Sequence, residues 1–414
     1  MYHSAKLSRI APDSLPFIAL LGLLAALPAL SIDICAPTLP LLAKSLGTST
    51  TVAGLTVSLF MAGFAAGQWT GGRCSDRRGR KPVLLAGLAC YTVAGIACML
   101  STGGIELVIF RLLQGLGAGT CAVVPFAMVQ DLFEGEAARA KRSYVTVVFG
   151  AAPVLAPALG SLLSSIGGWR AVYVALSIAG GSLLLVTLVG LAESHRPDVA
   201  GVAAIQPAPA VRLRDDAQFM GFALANALSY GAIFAYITGA PIVIIGEMKL
   251  SSALFSGIFA CTALALTAGA WTSGQLGRHR YAAPTVLGPS LAIAAAAALG
   301  LTAISLAGAT WGGALLLPPL LVVFFTRGTI APNLQHVAIE RRREQAGAAS
   351  AALGVSQLAS GGLASAAVAI LLPYYGARAV TVPMALLAAA ALATWHWTGR
   401  PGRKSHRLPG VLPI

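Results

Sequence analysis

Apolar runs long enough to cross a bilayer recur from Leu15 to Trp397, separated by short polar turns. Each needs roughly 20 residues as α-helix to span about 30 Å of hydrocarbon. The pattern predicts crossings over 15–36, 51–72, 82–102, 105–130, 143–166 and 170–192, and, after a polar stretch, over 217–245, 253–276, 284–306, 311–334, 347–372 and 377–397. The expected fold class is therefore all-α and integral to the membrane, with twelve transmembrane helices in two six-helix pseudo-repeats. The first run, LPFIALLGLLAALPALSIDI, exceeds a signal-peptide core of about 7–15 residues and lacks a small-x-small cleavage site, so it reads as a retained helix. Residues 193–216, ESHRPDVAGVAAIQPAPAVRLRDD, mix proline, small residues and charge with no room for a crossing. They read as a cytoplasmic linker between an N-terminal half, 1–192, and a C-terminal half with its tail, 217–414.

An internal repeat supports that division. GQWTGG at Gly67–Gly72 returns as GAWTSG at Gly269–Gly274, an offset of 202 residues that Pro82 and Pro284 also keep. Both copies end a helix before a basic loop and a proline-led helix, as a duplicated unit requires.

Composition points the same way. The chain is 57% hydrophobic and 10% charged, against about 25% charged in ordinary soluble domains. A net charge of +14 raises the question of nucleic acid, but a nucleic-acid surface gathers its basic residues on one folded face. Here they sit between apolar runs. Of 28 basic residues, 22 fall in the termini and alternate loops that share one side, among them Lys6, Arg9, Arg139, Lys141, Arg196, Arg212, Arg278, Arg341, Arg343 and Arg403. Lys44, Arg170, Lys249 and Arg378 lie opposite, so the positive-inside rule places both termini in the cytoplasm. The cysteines form no CxxC pair, which argues against both disulfides and a metal site. No GxSxG, HExxH or GxxxxGK[ST] run suggests an enzyme or ATP drive, and no cofactor is expected.

Four segments carry the candidate chemistry. The loop GGRCSDRRGRKP, Gly71 to Pro82, offers Gly72, Asp76, Arg77, Gly79, Arg80 and Lys81. Gly79 suits a tight turn, Asp76 is placed to meet a helix N-terminus, and the arginines are able to bridge to acidic groups, Asp131 in particular. A plain positive-inside loop would need only the basic residues. RLLQGLGAG puts Arg111 and Gln114 inside an apolar helix, where a cation at mid-bilayer costs at least about 2.5–3.5 kcal/mol and should face a cavity or partner. The alternative is snorkelling at the outer end. GAAPVLAPALGSLL supplies Gly150, Pro153, Pro157 and Gly160, a pattern that bends helices and admits close neighbours. SIDICAPTLP holds Asp33, followed by Pro37 and Pro40. A lone carboxylate there is costly unless protonated, hydrated or paired, and proton coupling needs exchange among those conditions. It is either that or a wetted residue at the periplasmic mouth.

These segments resemble the major facilitator superfamily: G-x-x-x-D-R-x-G-R-[RK] in the loop, R-x-x-Q-G-x-G-A at Arg111, and the antiporter motif of its drug exporters around Pro153 and Pro157. Asp33 with its two prolines, FAMVQDLFEG at Phe126–Gly135 and GWRAVY at Gly168–Tyr173 are similar to the Bcr/CflA-like branch of bicyclomycin and chloramphenicol exporters. The resemblance implies a bacterial inner-membrane, monomeric exporter that exchanges protons for small drug-like molecules, with the lipid bilayer its surroundings and no nucleic-acid partner. Asp33 would carry the proton and Arg111 would stabilise its charged form or orient substrate; Asp76 and its arginines would form a conformational latch. A carrier of a metabolite such as a sugar, nucleoside or organic acid fits the same scaffold, and a non-transporting sensor is the rival of another class. The chain departs from the branch pattern at Gln130, where arginine is usual, at Ser161, where a second glycine is common, and at Arg327 in FFTRGTIAPN, which does not match it. Arg327 either reaches the cavity to set a preference for neutral or anionic substrates or snorkels to the cytoplasmic interface.

Overall fold

The computed structural model describes residues 10–194, 213–307, 315–342 and 345–398. The expected linker is therefore seen only at its two ends, and Lys6, Arg9, Arg196, Arg212, Arg343, Arg400, Arg403, Lys404 and Arg407 lie outside the described residues. The elements are α1 Leu15–Asp33, α2 Leu39–Ser45, α3 Thr50–Arg78, α4 Arg80–Leu100, α5 Gly104–Leu132, α6 Gly135–Gly190, α7 Ala217–Pro241, α8 Ser252–Arg278, α9 Ala283–Leu306, α10 Leu317–Glu340, α11 Ala346–Tyr375 and α12 Arg378–Thr398.

These elements make twelve crossings. α1 and α2 form one, interrupted after Asp33 by a 3-10 turn at Ala36–Thr38. α6 makes two, because Gly167 and Gly168 leave helical geometry, Gly168 at φ 66°, and reverse the chain. The predicted helices 143–166 and 170–192 are the arms of α6, hereafter its first and second arm. α10 corrects the predicted range 311–334: it starts at Leu317, where Pro318 takes a first-turn position, and runs on to Glu340. The apolar residues 311–314, which drew the prediction upstream, lie outside the described residues.

Packing follows the repeat. In the first bundle α3 and α4 pack on α5 and α6 on α1 and α4, while in the second α8 and α9 pack on α10 and α11 and α12 on α7. Between bundles, α3 meets α11 and α6 meets α8. The repeat equates α3 with α8 and the first arm of α6 with α11, so the two contacts exchange under a pseudo-two-fold. Ser49 and Ser251, again 202 residues apart, cap α3 and α8 by accepting from Val52 N and Leu254 N. Gly67 lies against the backbone of Leu116 in α5, and Gly269 against that of Phe325 in α10. Gly119 and Gly328 press back on Gly67 and Gly269. Small residues are what permit such approach in lipid.

At the second bundle's basic end, Asp216 caps α7, accepting from Gln218 N at 3.1 Å and Phe219 N at 3.2 Å. It also pairs with Arg341 at 2.8 Å and Arg342 at 2.7 Å. Burial alone would raise its carboxyl, but the Arg341 hydrogen bond, the Phe219 N–H and the two cations outweigh it and hold its pKa below the usual range. The linker's C-terminal end is thus anchored to α10.

Two predictions follow from this packing. Gly67→Ala and Gly269→Ala each put a Cβ into a carbonyl oxygen and should cost about 1–3 kcal/mol. Gly274→Ala, which meets nothing within 4 Å, should stay within about 0.5 kcal/mol. Thermal melts in detergent compare them. Asp216→Asn should destabilise by about 1–2 kcal/mol near neutral pH. Because the folded carboxyl is depressed, that difference is full above the ordinary carboxylate pKa of about 4 and shrinks as pH falls below it; melts at stepped pH measure it.

Candidate functional site

Among the described residues, the charged side chains buried within the crossings are Asp33, Arg111 and Arg327. Arg111 of α5 is 0% exposed. Its Nη1 donates to Gln114 Oε1 at 2.8 Å and Nη2 to the Ser31 carbonyl at 3.2 Å. The guanidinium lies 4.2 Å from the Phe60 ring centroid, and Ser31 Oγ meets Tyr91 Oη at 2.6 Å. Arg111 is walled in by its own bundle and does not snorkel. It forms no ion pair with Asp33 among the described residues, so the expected direct stabilisation of one by the other has no contact behind it. Arg111 Nε and Gln114 Nε2 are buried without partners.

Asp33 ends α1 and is 5% exposed, and the residues after it through Leu39 are buried too. No hydrogen bond or ion pair reaches its carboxylate from the described residues. Gly160 of α6 lies against the Ile34 carbonyl, so the turn after Asp33 is clamped by a residue of the antiporter-like segment.

Arg327 is buried near the middle of α10 rather than toward its end. Its Nη1 donates to Asn226 Oδ1 and Ser229 Oγ, both at 3.0 Å, and its guanidinium stands 5.6 Å from the Tyr230 ring. Tyr230 is within electrostatic reach of both Arg327 and Asp33, and it shares the space around Gly361 with Met61 of the other bundle. It therefore stands at the seam. Asn226, Ser229 and Tyr230 escaped the sequence reading, although their i, i+3, i+4 spacing puts three polar groups on one face of an apolar helix.

The basic turn is assembled around Arg80. Its guanidinium pairs with Asp76 and, at 2.8 Å, with Asp131 of α5, and donates to Ser75 Oγ at 2.8 Å. Arg77 is exposed. Gly79 has φ 98°, a backbone that favours glycine, and a Cβ there would press on the Glu193 carboxylate. Asp76 does not meet a helix N-terminus as expected. That place belongs to Glu193, whose carboxylate accepts from Arg80 N at 2.8 Å and Lys81 N at 3.1 Å while Lys81 Nζ donates to the carbonyls of Leu188 and Leu191. A Gly N-cap has no side chain to offer, so the first acidic residue after the second arm of α6 supplies the cap. Gly72 meets only Val123 at 3.9 Å, and its neighbour Gly71 makes the close approach to Thr120.

Within α6, Pro153 and Pro157 keep helical backbone angles, and Gly150 meets nothing within 4 Å, so it does not serve the close contact expected of it. Ser161 does: it donates to the Ser252 carbonyl at 2.9 Å and meets Ser256 Oγ at 2.6 Å, while Ser256 donates to the Pro157 carbonyl at 2.8 Å. A second hydroxyl link runs Ser58–Ser365–Thr238, with both steps at 2.7 Å. Both links join the bundles in the half of the molecule away from the Arg80 turn. At that end a cleft of about 1440 Å³ opens beside Lys44, Glu247 and Lys249, with Ser161 and Ser256 in its wall.

Comparison with known proteins gives this geometry a setting. The Major Facilitator Superfamily model matches residues 21–365. The chain is 30% identical over 367 residues to an uncharacterized MFS-type transporter, YdgK, of Bacillus subtilis, covering 86% of this chain and 89% of that protein. It is 30% identical over 286 residues, 67% of this chain and 66% of the other, to a chloramphenicol resistance protein of Pseudomonas aeruginosa. Against the multidrug resistance protein MdtL of Escherichia coli O9:H4 it is 28% identical over 342 residues, 80% of this chain and 83% of that one. Among solved structures, a bacterial homolog of the human lysosomal transporter Spinster superposes with TM-score 0.75 at 16% identity, over 94% of this chain and 97% of that one. A D-xylose-proton symporter gives 0.71 at 14% identity, over 91% and 96%. At these identities the structures speak for the fold alone, and the sequence match speaks for descent: the chain belongs to the Major Facilitator Superfamily and is a multi-pass membrane transporter.

Proposed function

We propose that this transporter is a substrate/proton antiporter that exports small drug-like molecules, phenicol- or bicyclomycin-like compounds among them, and that it stands with the Bcr/CflA-like branch. The observation that carries the reading is Asp33: a buried carboxylate with no described counter-ion, at the end of a helix and within electrostatic reach of Tyr230 on the opposite bundle. Such a group is stable when protonated or hydrated and unstable when ionised and dry, so its proton must leave and return as the site changes its access to water. The chloramphenicol- and multidrug-resistance relatives support the substrate class.

In this reading the halves 1–192 and 217–414 rock about the seam on the linker 193–216, with both termini cytoplasmic and a single chain sufficient for transport. The hydroxyl links then close the periplasmic side. Arg111, sealed against Gln114, Ser31 and Phe60, holds α5 to α1 and lends the N-terminal half positive potential. The Arg80 turn acts as the latch: Asp76 keeps a 65% exposed side chain, available to the other half when the cytoplasmic side closes, while Glu193 joins the turn to the start of the linker.

In proteoliposomes, Asp33→Asn should abolish pH-driven accumulation of drug against its gradient, and Asp33→Glu should keep part of it with a displaced pH profile. Uphill accumulation by Asp33→Asn with an unchanged pH profile would place the proton carrier elsewhere. Asp76→Asn should insert at wild-type level and transport several-fold more slowly; wild-type rates from well-inserted protein would remove the latch.

A further inference from the structure

The group around Arg327 is built more like a binding site than like a helix joint. Arg327 has protein partners through Nη1 alone; among the described residues, no carboxylate pairs with it and its other N–H donors have no partner. Asn226 is 0% exposed, yet its Nδ2 has no partner. Arg111 and Gln114 also leave Nε and Nε2 without partners, but inside a single bundle, whereas Tyr230 beside Arg327 reaches the seam. The scaffold does not demand a cation at Arg327. Gly119 and Gly328 hold matching places in the two bundles, each pressed on the glycine of the partner helix. The residue before Gly119 is Ala118, whereas the residue before Gly328 is Arg327.

The other bundle holds the reverse case, a buried acceptor without a described donor, Asp33. The Tyr230 ring lies 5.6 Å from the Arg327 guanidinium, shares the space around Gly361 with Met61 of the other bundle, and is within electrostatic reach of Asp33. We infer that Arg327, Asn226 and Ser229 on one bundle and Asp33 on the other form a dipolar site for zwitterionic amphiphiles. The substrate's carboxylate is received by Arg327 and the Asn226 amide, its ammonium by Asp33, and the apolar body lies against Tyr230 and Met61. This rests on the antiport reading and sharpens it. A proton on Asp33 competes with the substrate's ammonium but leaves the carboxylate end untouched, which ties release to protonation. A purely anionic substrate would instead bind better to the protonated carrier, the opposite of antiport.

The test uses the purified full-length protein in detergent and three probes sharing one body: 4′-(aminomethyl)biphenyl-4-carboxylate, its methyl ester and its N-acetyl derivative, read by ligand-dependent thermal stabilisation across a concentration series. Wild type should bind the zwitterion about 10–100-fold more tightly than either blocked form, the range expected for one charge-assisted contact. Arg327→Gln should lose the preference over the ester while keeping that over the N-acetyl compound, and Asp33→Asn should do the reverse. Should Arg327→Gln fail to fold, Asn226→Asp gives Arg327 an internal carboxylate and should erase discrimination against the ester in a stable protein. Equal binding of zwitterion and ester by wild type, no stabilisation by the zwitterion, or an unchanged pattern in Asn226→Asp overturns the dipolar site. Selective binding without pH-driven accumulation in proteoliposomes would sink the antiport reading and leave the site; accumulation of neutral drugs without zwitterion preference would do the opposite.

Discussion

Helices in a bilayer gain nothing from hiding apolar surface from one another, so everything here depends on how closely two backbones approach. The α3/α5 and α8/α10 crossings meet that demand with glycine against carbonyl, at Gly67 with Gly119 and at Gly269 with Gly328. Contact at that range brings many weak dispersion terms into play and leaves little freedom of register. The polar groups in the crossings are then held in register: once α10 is fixed on α8, Arg327 meets Asn226 and Ser229 of α7.

The two intramembrane arginines resolve the cost of burial differently. Arg111 is enclosed on all sides, its charge spread over an amide oxygen, a carbonyl and an aromatic face. Arg327 is satisfied at one end only and stands beside the seam. The first arrangement suits a fixed element of potential within one half. The second suits a group whose surroundings change in the rocking proposed for the halves.

The crossings were legible from hydropathy because a membrane span imposes length and composition together. The repeat was legible in GQWTGG and GAWTSG because the glycine crossing leaves few residue types to choose from. The start of α10 was misjudged because the apolar residues upstream of Leu317 match a span as well as the helix itself does. Arg80, Asp131 and Gly79 were visible as a motif, whereas Glu193 was hidden: its partners are backbone amides 113 and 112 residues away, and no local spacing records such a contact. The same holds for Ser161, which reads as a departure from the expected glycine yet makes hydroxyl contacts with α8. Asn226 was lost among apolar residues because a single amide barely changes the mean hydropathy of a helix.

The links that join the bundles, Ser161 with Ser252 and Ser256, and Ser58 with Ser365 and Thr238, are made by neutral hydroxyls and carbonyls. Intramembrane hydrogen bonds of this kind are worth about 0.6 kcal/mol each on average, so they separate at thermal cost and re-form without choosing a partner charge. They also carry no charge when they move. A membrane potential of 100 mV does about 2.3 kcal/mol of work on each elementary charge it carries across, yet it has no grip on these hydroxyls. In the proposed cycle, voltage would act through the ionisable groups deeper in the bundles and through the cargo rather than through these hydroxyl links.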